Sequence, residues 1–453
     1  MFGAVTTIAA PRPISPAPAE PATGRRGPRR PAPVLRLRLQ AGAALLLVTA
    51  LLAAALSAFA TARSDLHRLA DVSEPRAAAA ADLHRALADL DAQHANSLVV
   101  GYSATPPPGG TAPVLIDDGV LAALTAQADR REVARDLTLL APSSSADVQA
   151  VIDGLGTYDS LSGTEEFWAT TQQAPVAGLP PALSLDYYGQ AAAVLQQSLL
   201  PRVQALTGAA NDQVAADRAA AVDDGRRGAL LLAALGALVL VLLIWWQLDL
   251  TRRHRRLFNP ALLLATAAVL VVSLGGGLAL LGAASHADTA VKRGHAPYSV
   301  IAQAQVAAAD AEAAESRWLV DDAYRPALRT TFDQLSAQLR GLTSGTAGSP
   351  GVARTRAAYL AADARLRALA GSGQLDQASV QLTGVTRGQL AFAYYDFSRQ
   401  LDQLSASSAA RFDAEAAAAD NDLSPWAVVP PVLLGLALLL VLAGVRPRLA
   451  EFA

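Results

Sequence analysis

Four apolar runs without a single charged residue punctuate the chain: Ala41–Ala60, Ala229–Leu248, Ala261–Gly282 and Trp426–Val445. Each is long enough to cross ~30 Å of hydrocarbon at ~1.5 Å per residue. The pattern therefore predicts membrane-spanning helices over residues 41–60, 229–248, 261–282 and 426–445. Between the runs the periodicity becomes that of amphipathic helices. Leu83, Leu87, Leu90, His94 and Leu98 fall on one helical face. Leu121, Leu124 and Ala128, followed by Val133, Leu137 and Leu140, mark a second helix. Pro142-Ser143-Ser144-Ser145 breaks the chain and offers an N-cap for a third. After a break at Ala177–Ser184, a fourth helix leads into the second span.

The later polar segment has a clearer signal. Leu328, Phe332, Leu335, Leu339 and Leu342 repeat at 4-3-4-3 spacing, as do Leu390, Tyr394, Phe397, Leu401 and Leu404. That is the seam of antiparallel packed helices. Breaks at Tyr324-Arg325-Pro326, Thr343–Gly351 and Gly371–Gly373 give this segment four helices too. The fold class that follows is an all-α integral membrane protein. It has four transmembrane helices and two antiparallel four-helix bundles, 61–228 and 283–425, outside the membrane.

The layout of span, large polar segment, span occurs twice, which suggests an internal duplication. Leu87–Val100 echoes Val306–Leu319, and Tyr187-Tyr188 and Tyr394-Tyr395 each sit near the start of a last helix. Coincidence between alanine-rich helices would produce the same echo.

Charge sets the direction. Residues 1–40 carry Arg12, Arg25, Arg26, Arg29, Arg30, Arg36 and Arg38 against Glu20 alone. The loop 249–260 carries Arg252, Arg253, Arg255 and Arg256, and the tail 446–453 carries Arg446 and Arg448. The positive-inside rule places these three segments in the cytoplasm and both large segments outside. Residues 1–40 are rich in Pro, Ala and Arg and read as a disordered basic tail. Ala58-Phe59-Ala60 resembles a signal-peptidase site, so the first span is either a retained anchor or a cleaved signal.

Composition agrees with the spans: 52% of residues are hydrophobic, 17% are charged, and mean hydropathy is +0.27. With no cysteine, disulfides, thiolate metal sites and cysteine nucleophiles are excluded. The six histidines have no metal-site spacing. No phosphate-binding loop, kinase signature or nucleophile elbow occurs, and the spans hold no ionisable group of the kind ion pathways use. The expectation is a protein that is not an enzyme, with no cofactor, no metal and no nucleic-acid partner.

Individual residues read as structural. Gly275-Gly276-Gly277 lies in a span and suits close helix packing. His94, Trp168 and Trp318 read as core or interface residues. The acid pairs Asp117-Asp118, Glu165-Glu166 and Asp321-Asp322 read as solvated helix faces. Arg252, Arg253, Arg255 and Arg256 are topology determinants that bind anionic lipid and are the candidate contact for a cytoplasmic partner. No ligand-binding residue is assigned.

In architecture the chain resembles chemoreceptor and sensor-kinase periplasmic domains, whose end helices continue into the membrane. It departs from them in having no HAMP, kinase or cyclase domain. The four-span layout, the Arg252–Arg256 loop (RRHRR) and the tail RPRLAEFA resemble GlnX-type actinobacterial membrane proteins. That resemblance implies relay of amino-acid availability from a solute-binding lipoprotein to the Ser/Thr protein kinase G. A scaffold for an envelope complex is the alternative function, and homodimerisation stays open.

Overall fold

The apolar runs sit inside four helical rods much longer than a membrane is thick. The rods are Arg38–Val99, Ala182–Asp249, Pro260–Val320 and Leu390–Ala443, of 62, 68, 61 and 54 residues. At ~1.5 Å per residue each reaches roughly 80–100 Å, against ~30 Å of hydrocarbon. The computed structural model describes residues 33–104, 106, 108–142, 145–171, 175–254, 260–345 and 349–450. The basic tail read as disordered lies, up to residue 32, outside them.

Rod one is α1 (Pro33–Arg68), a π-helical turn (Leu69–Ser73) and α2 (Glu74–Val99). A short hairpin, β1 (Gly101–Tyr102) with β2 (Leu115–Asp117), leads to α3 (Val120–Leu140) and α4 (Ser145–Thr171). Rod two is α5 (Ala182–Val194), a π turn (Leu195–Leu199) and α6 (Leu200–His254). Rod three runs from α7 (Pro260–Leu270) through a π turn into α8 (Gly276–Thr289), then through a second π turn into α9 (Ala296–Val320). There follow α10 (Arg325–Ser344), α11 (Pro350–Gly371) and α12 (Leu375–Thr383). Rod four is α13 (Leu390–Leu423), a 3₁₀ turn (Ser424–Ala427) and α14 (Val429–Ala450).

The apolar thirds of the rods form one four-helix bundle. Helices α1, α6, α7–α8 and α14 follow one another around it, and α14 closes back onto α1. Leu51, Leu232, Leu243, Val272, Leu434 and Val441 fill its centre. Its outer face is leucine: Leu46, Leu230 and Leu278 are each about 70% exposed. Water penalises such a belt and lipid does not. Phe59 and Trp426 stack at 5.3 Å against the glycines of rod three. A β-carbon on Gly275 would lie 2.7 Å from the Trp426 ring, so this glycine does serve close packing.

The polar two-thirds build two lobes. In lobe one α2, α3, α4 and α5–α6 surround Leu83, Leu87, Leu90, Val133, Leu137, Tyr158 and Leu199. In lobe two α9, α10, α11 and α13 surround Phe332, Tyr359, Leu366, Phe397 and Leu401. Lobe one has the four helices its periodicity implied, lobe two has a fifth, α12, split from α13 by the turn after Thr383, and the lobes are not separate. Helices α2 and α9 run side by side, and Ala95, Leu98, Val99 and Tyr188 of lobe one belong to the core of lobe two. The seam is lined with alanine: Ala88, Ala92 and Ala95 face a helix that buries Ala307, Ala308 and Ala311. Small side chains let two backbones approach closely. On α3, Leu121 and Leu124 are exposed, while Ala122 and Ala126 are buried. The core face of that helix begins one residue away from the leucines that marked it in the sequence.

Candidate ligand pocket

The α2–α9 seam is apolar in volume and ionic in content. It buries Asp91 and Asn96 of α2, and Glu312, Glu315 and Ser316 of α9. Some of these are paired. Arg317 Nε lies 3.4 Å from Asp91, and Tyr188 Oη donates to the same carboxylate at 3.4 Å. Tyr359 Oη donates to Glu315 at 2.6 Å. Asp91 and Glu315 titrate above the usual carboxylate range, because burial disfavours their charged form.

Beside the seam opens a cavity of about 670 Å³ between the lobes. Asp89 and Asn96 of α2 and Glu312 of α9 face it from one side. Phe392, Tyr394 and Tyr395 of α13 face it from another, and Asp117, next to the hairpin's end, marks its rim. Thr383 Oγ1 donates to Asp117 at 2.6 Å and ties α12 of lobe two to that hairpin. The polar floor is short of donors. Glu312 Oε2 and Asn96 Oδ1 are buried acceptors with no hydrogen-bond partner. Burial, then the Asp89 and Asp129 carboxylates, push Glu312 up. Asp129, behind it on α3, is pushed up to about 8 by burial and by Asp89. Two cations are close: Arg85, which is committed to Glu132, and Arg399 of α13, which lines the cavity.

Residues 65–219 match the family model of the Actinobacterial sensor domain. That stretch runs from the last turn of α1 through lobe one into α6, so the matched sensor domain and the structural lobe coincide. The match supports an actinobacterial sensor protein. No curated protein and no solved structure matches the chain. The α2 wall of the cavity therefore belongs to the sensor-domain match, and the α9 and α13 walls lie beyond it.

The residues singled out in the sequence fall mostly elsewhere. Arg252 and Arg253 lie in the last turn of α6, and Arg255 and Arg256 lie outside the described residues. His94 is a packed histidine: its Nδ1 is 2.7 Å from Tyr158 Oη, and burial lowers it to about 4. Trp318 lies under two guanidinium groups, Arg325 at 5.2 Å and Arg367 at 4.9 Å. Glu165 is not part of a solvated face. It is 2% exposed, and burial with its neighbour Glu166 raises it to about 8.

The cavity residues were missed because a lone acid in an alanine-rich helix reads as solvent-facing. A signal was present nonetheless. The two segments that echo each other, Leu87–Val100 and Val306–Leu319, contain Asp89, Asp91, Asn96, Glu312, Glu315 and Arg317. They are the segments that face each other across the seam.

Proposed function

We propose that the protein is a transmembrane receptor that relays an external condition inward and has no catalysis of its own. The observation that carries this is the rods. The walls of the interlobe cavity and the membrane bundle are built from the same helices, with no flexible linker between Leu200 and His254 or between Glu74 and Arg68. A ligand or partner that favours one lobe arrangement shifts the population of that arrangement. The rods would carry the shift to the other end of the bundle.

In this reading both termini and the loop containing Arg252, Arg253, Arg255 and Arg256 are cytoplasmic, and the lobes are outside. The arginine asymmetry supports that direction. The signal is amino-acid availability, presented by a solute-binding lipoprotein, and the recipient is a cytoplasmic Ser/Thr protein kinase. The resemblance to GlnX-type proteins supports these assignments, and the sensor-domain match supports the sensing role alone. Energetics favour a docked protein as the main input. Driving a two-state element from 1:99 to 99:1 takes about 5.5 kcal/mol of differential binding, and a standard ~1,600 Å² interface offers many contacts to supply it. The arginine loop is the candidate kinase contact.

The test is a Gly-Gly insertion between Val222 and Asp223 of α6, where lobe one gives way to the membrane bundle. Expression and lipoprotein capture should persist, while phosphorylation of the kinase's substrates stops responding to amino acids. An unchanged response in this variant and in a deletion strain would leave the scaffold function in place of the relay.

A further inference from the structure

The interlobe cavity is not merely a gap left by packing. Its lining carries four carboxylates, Asp89, Asp117, Glu312 and Asp402, against one guanidinium, Arg399; two of its buried acceptors have no donor, and its opposite wall is aromatic. Glu312 is 4% exposed and Asn96 is 5% exposed. Both line the cavity, and Glu312 Oε2 and Asn96 Oδ1 have no hydrogen-bond partner. Asp89 adds a third acceptor, with a single weak donor, Gln93 Nε2 at 3.4 Å. Leaving such groups unpaired away from water costs about 1–3 kcal/mol each, and a ligand that donates to them recovers that cost.

The complement to three convergent acceptors is a group with several donors and a positive charge. A primary ammonium has three donors and no acceptor. The Tyr394, Tyr395 and Phe392 rings add faces over which a cation and its alkyl chain are favoured. Tyr395 is 61% exposed although its neighbour Phe397 is fully buried, so an aromatic surface is presented at the cavity rather than packed away. A cavity of about 670 Å³ suits a small molecule rather than a peptide segment.

We propose that the cavity between the lobes is a binding site for a small organic cation with a primary ammonium head, held by Glu312, Asn96 and Asp89. Its walls come from both lobes, so an occupant holds α2, α9 and α13 in one arrangement. That consequence rests on the relay function; binding itself does not.

The experiment uses the full chain in lipid nanodiscs, with putrescine as the probe. Its uncharged isostere 1,4-butanediol is the control, and both are titrated calorimetrically. Putrescine should bind and butanediol should not. Glu312→Gln keeps the shape and removes the charge; it should weaken putrescine by about tenfold or more, the loss expected for one charge-assisted hydrogen bond. Asn96→Leu, with the amide acceptor removed, is the second variant and should weaken it several-fold. Far-ultraviolet circular dichroism and melting temperature check that both variants fold. Absence of putrescine binding, equal binding of the two probes, or putrescine affinity unchanged in folded Glu312→Gln overturns the proposal. None of these results bears on the lipoprotein–kinase relay, which is read from the α6 insertion.

Discussion

Arg317 of α9 points its guanidinium into lobe one, where Nε lies 3.4 Å from the fully buried carboxylate of Asp91 on α2. The pair is an ionic link across the alanine seam, as is His84 with Asp310 at 3.4 Å, so the lobes hold one another through polar pairs as well as through packing. Arg317→Met leaves Asp91 buried without its cation, which typically costs about 3–5 kcal/mol. Burial already raises Asp91, and loss of Arg317 raises it further. A group raised in the folded state stabilises most below its unfolded value and loses that contribution as pH rises. The deficit of Arg317→Met should therefore be small near pH 4 and large near pH 8. Adding Asp91→Asn should recover much of it. Chemical denaturation at the two pH values measures this.

Lobe two depends on the seam read directly from its sequence. Leu401 is fully buried beside Phe397, Tyr359 and Leu366. Leu401→Asp places a carboxylate there without a partner and should cost 4 kcal/mol or more, on the order of the largest single-residue losses. The melting transition of the full chain would fall or split. A melting temperature unchanged within a degree would show that this seam is not core.

That seam was legible because its residues alternate in size and polarity at helical spacing. The spans were legible because length and lack of charge suffice. Proline and glycine breaks marked the four helices of lobe one, but in lobe two they missed the turn that separates α12 from α13. The joining of the lobes was not legible: alanine carries little periodic signal, and Ala307, Ala308 and Ala311 could face solvent or a partner equally well. The same ambiguity hid Glu312 and Asp89. Leu121 and Leu124 misled in the opposite direction, since their hydrophobicity pointed inward while the shorter Ala122 and Ala126 do the packing.

Glu165 gives lobe one a pH dependence separate from the cavity. It is buried and raised to about 8, from an ordinary value of 4.5. The folded state holds this proton more tightly than the unfolded chain does. Its contribution is complete below about pH 4.5 and is lost as pH climbs through 8. Glu165→Gln should flatten the decline in stability between pH 5 and 9, by an amount on the order of a few kcal/mol. Identical slopes in the two proteins would place Glu165 in contact with water.

Cation binding should carry its own pH signature. Glu312 faces Asp89, Asp91 and Asn96 of α2, Asp129 of α3 and Tyr394 of α13, with Arg85, Arg399 and Asp402 nearby, and burial among these acids raises its hold on a proton. An ammonium head must displace that proton. Putrescine affinity should rise from pH 6 to pH 9, with proton release that depends on the buffer's ionisation enthalpy in calorimetry. Glu312→Gln should lose most of the slope.

Direction across the membrane is checked by reporter fusions. Thr6, Pro260 and Glu451 should report the cytoplasm, and Gly110 and Gly345 the exterior, as the arginine distribution requires. An external signal at Pro260 would refute the four-span arrangement.

In a relay of this design the lobes and the membrane bundle move together. The chain has no cysteine, so paired spin labels can be introduced without background. Ile244 of α6 and Leu442 of α14 are exposed on the bundle near its arginine-rich end. With labels at Ile244→Cys and Leu442→Cys in nanodiscs, pulsed electron–electron resonance reports the distance between these rods. Saturating putrescine should shift the distance distribution, and the same labels in Glu312→Gln should not respond. A distribution that stays unchanged while calorimetry shows the cavity filled would contradict the relay.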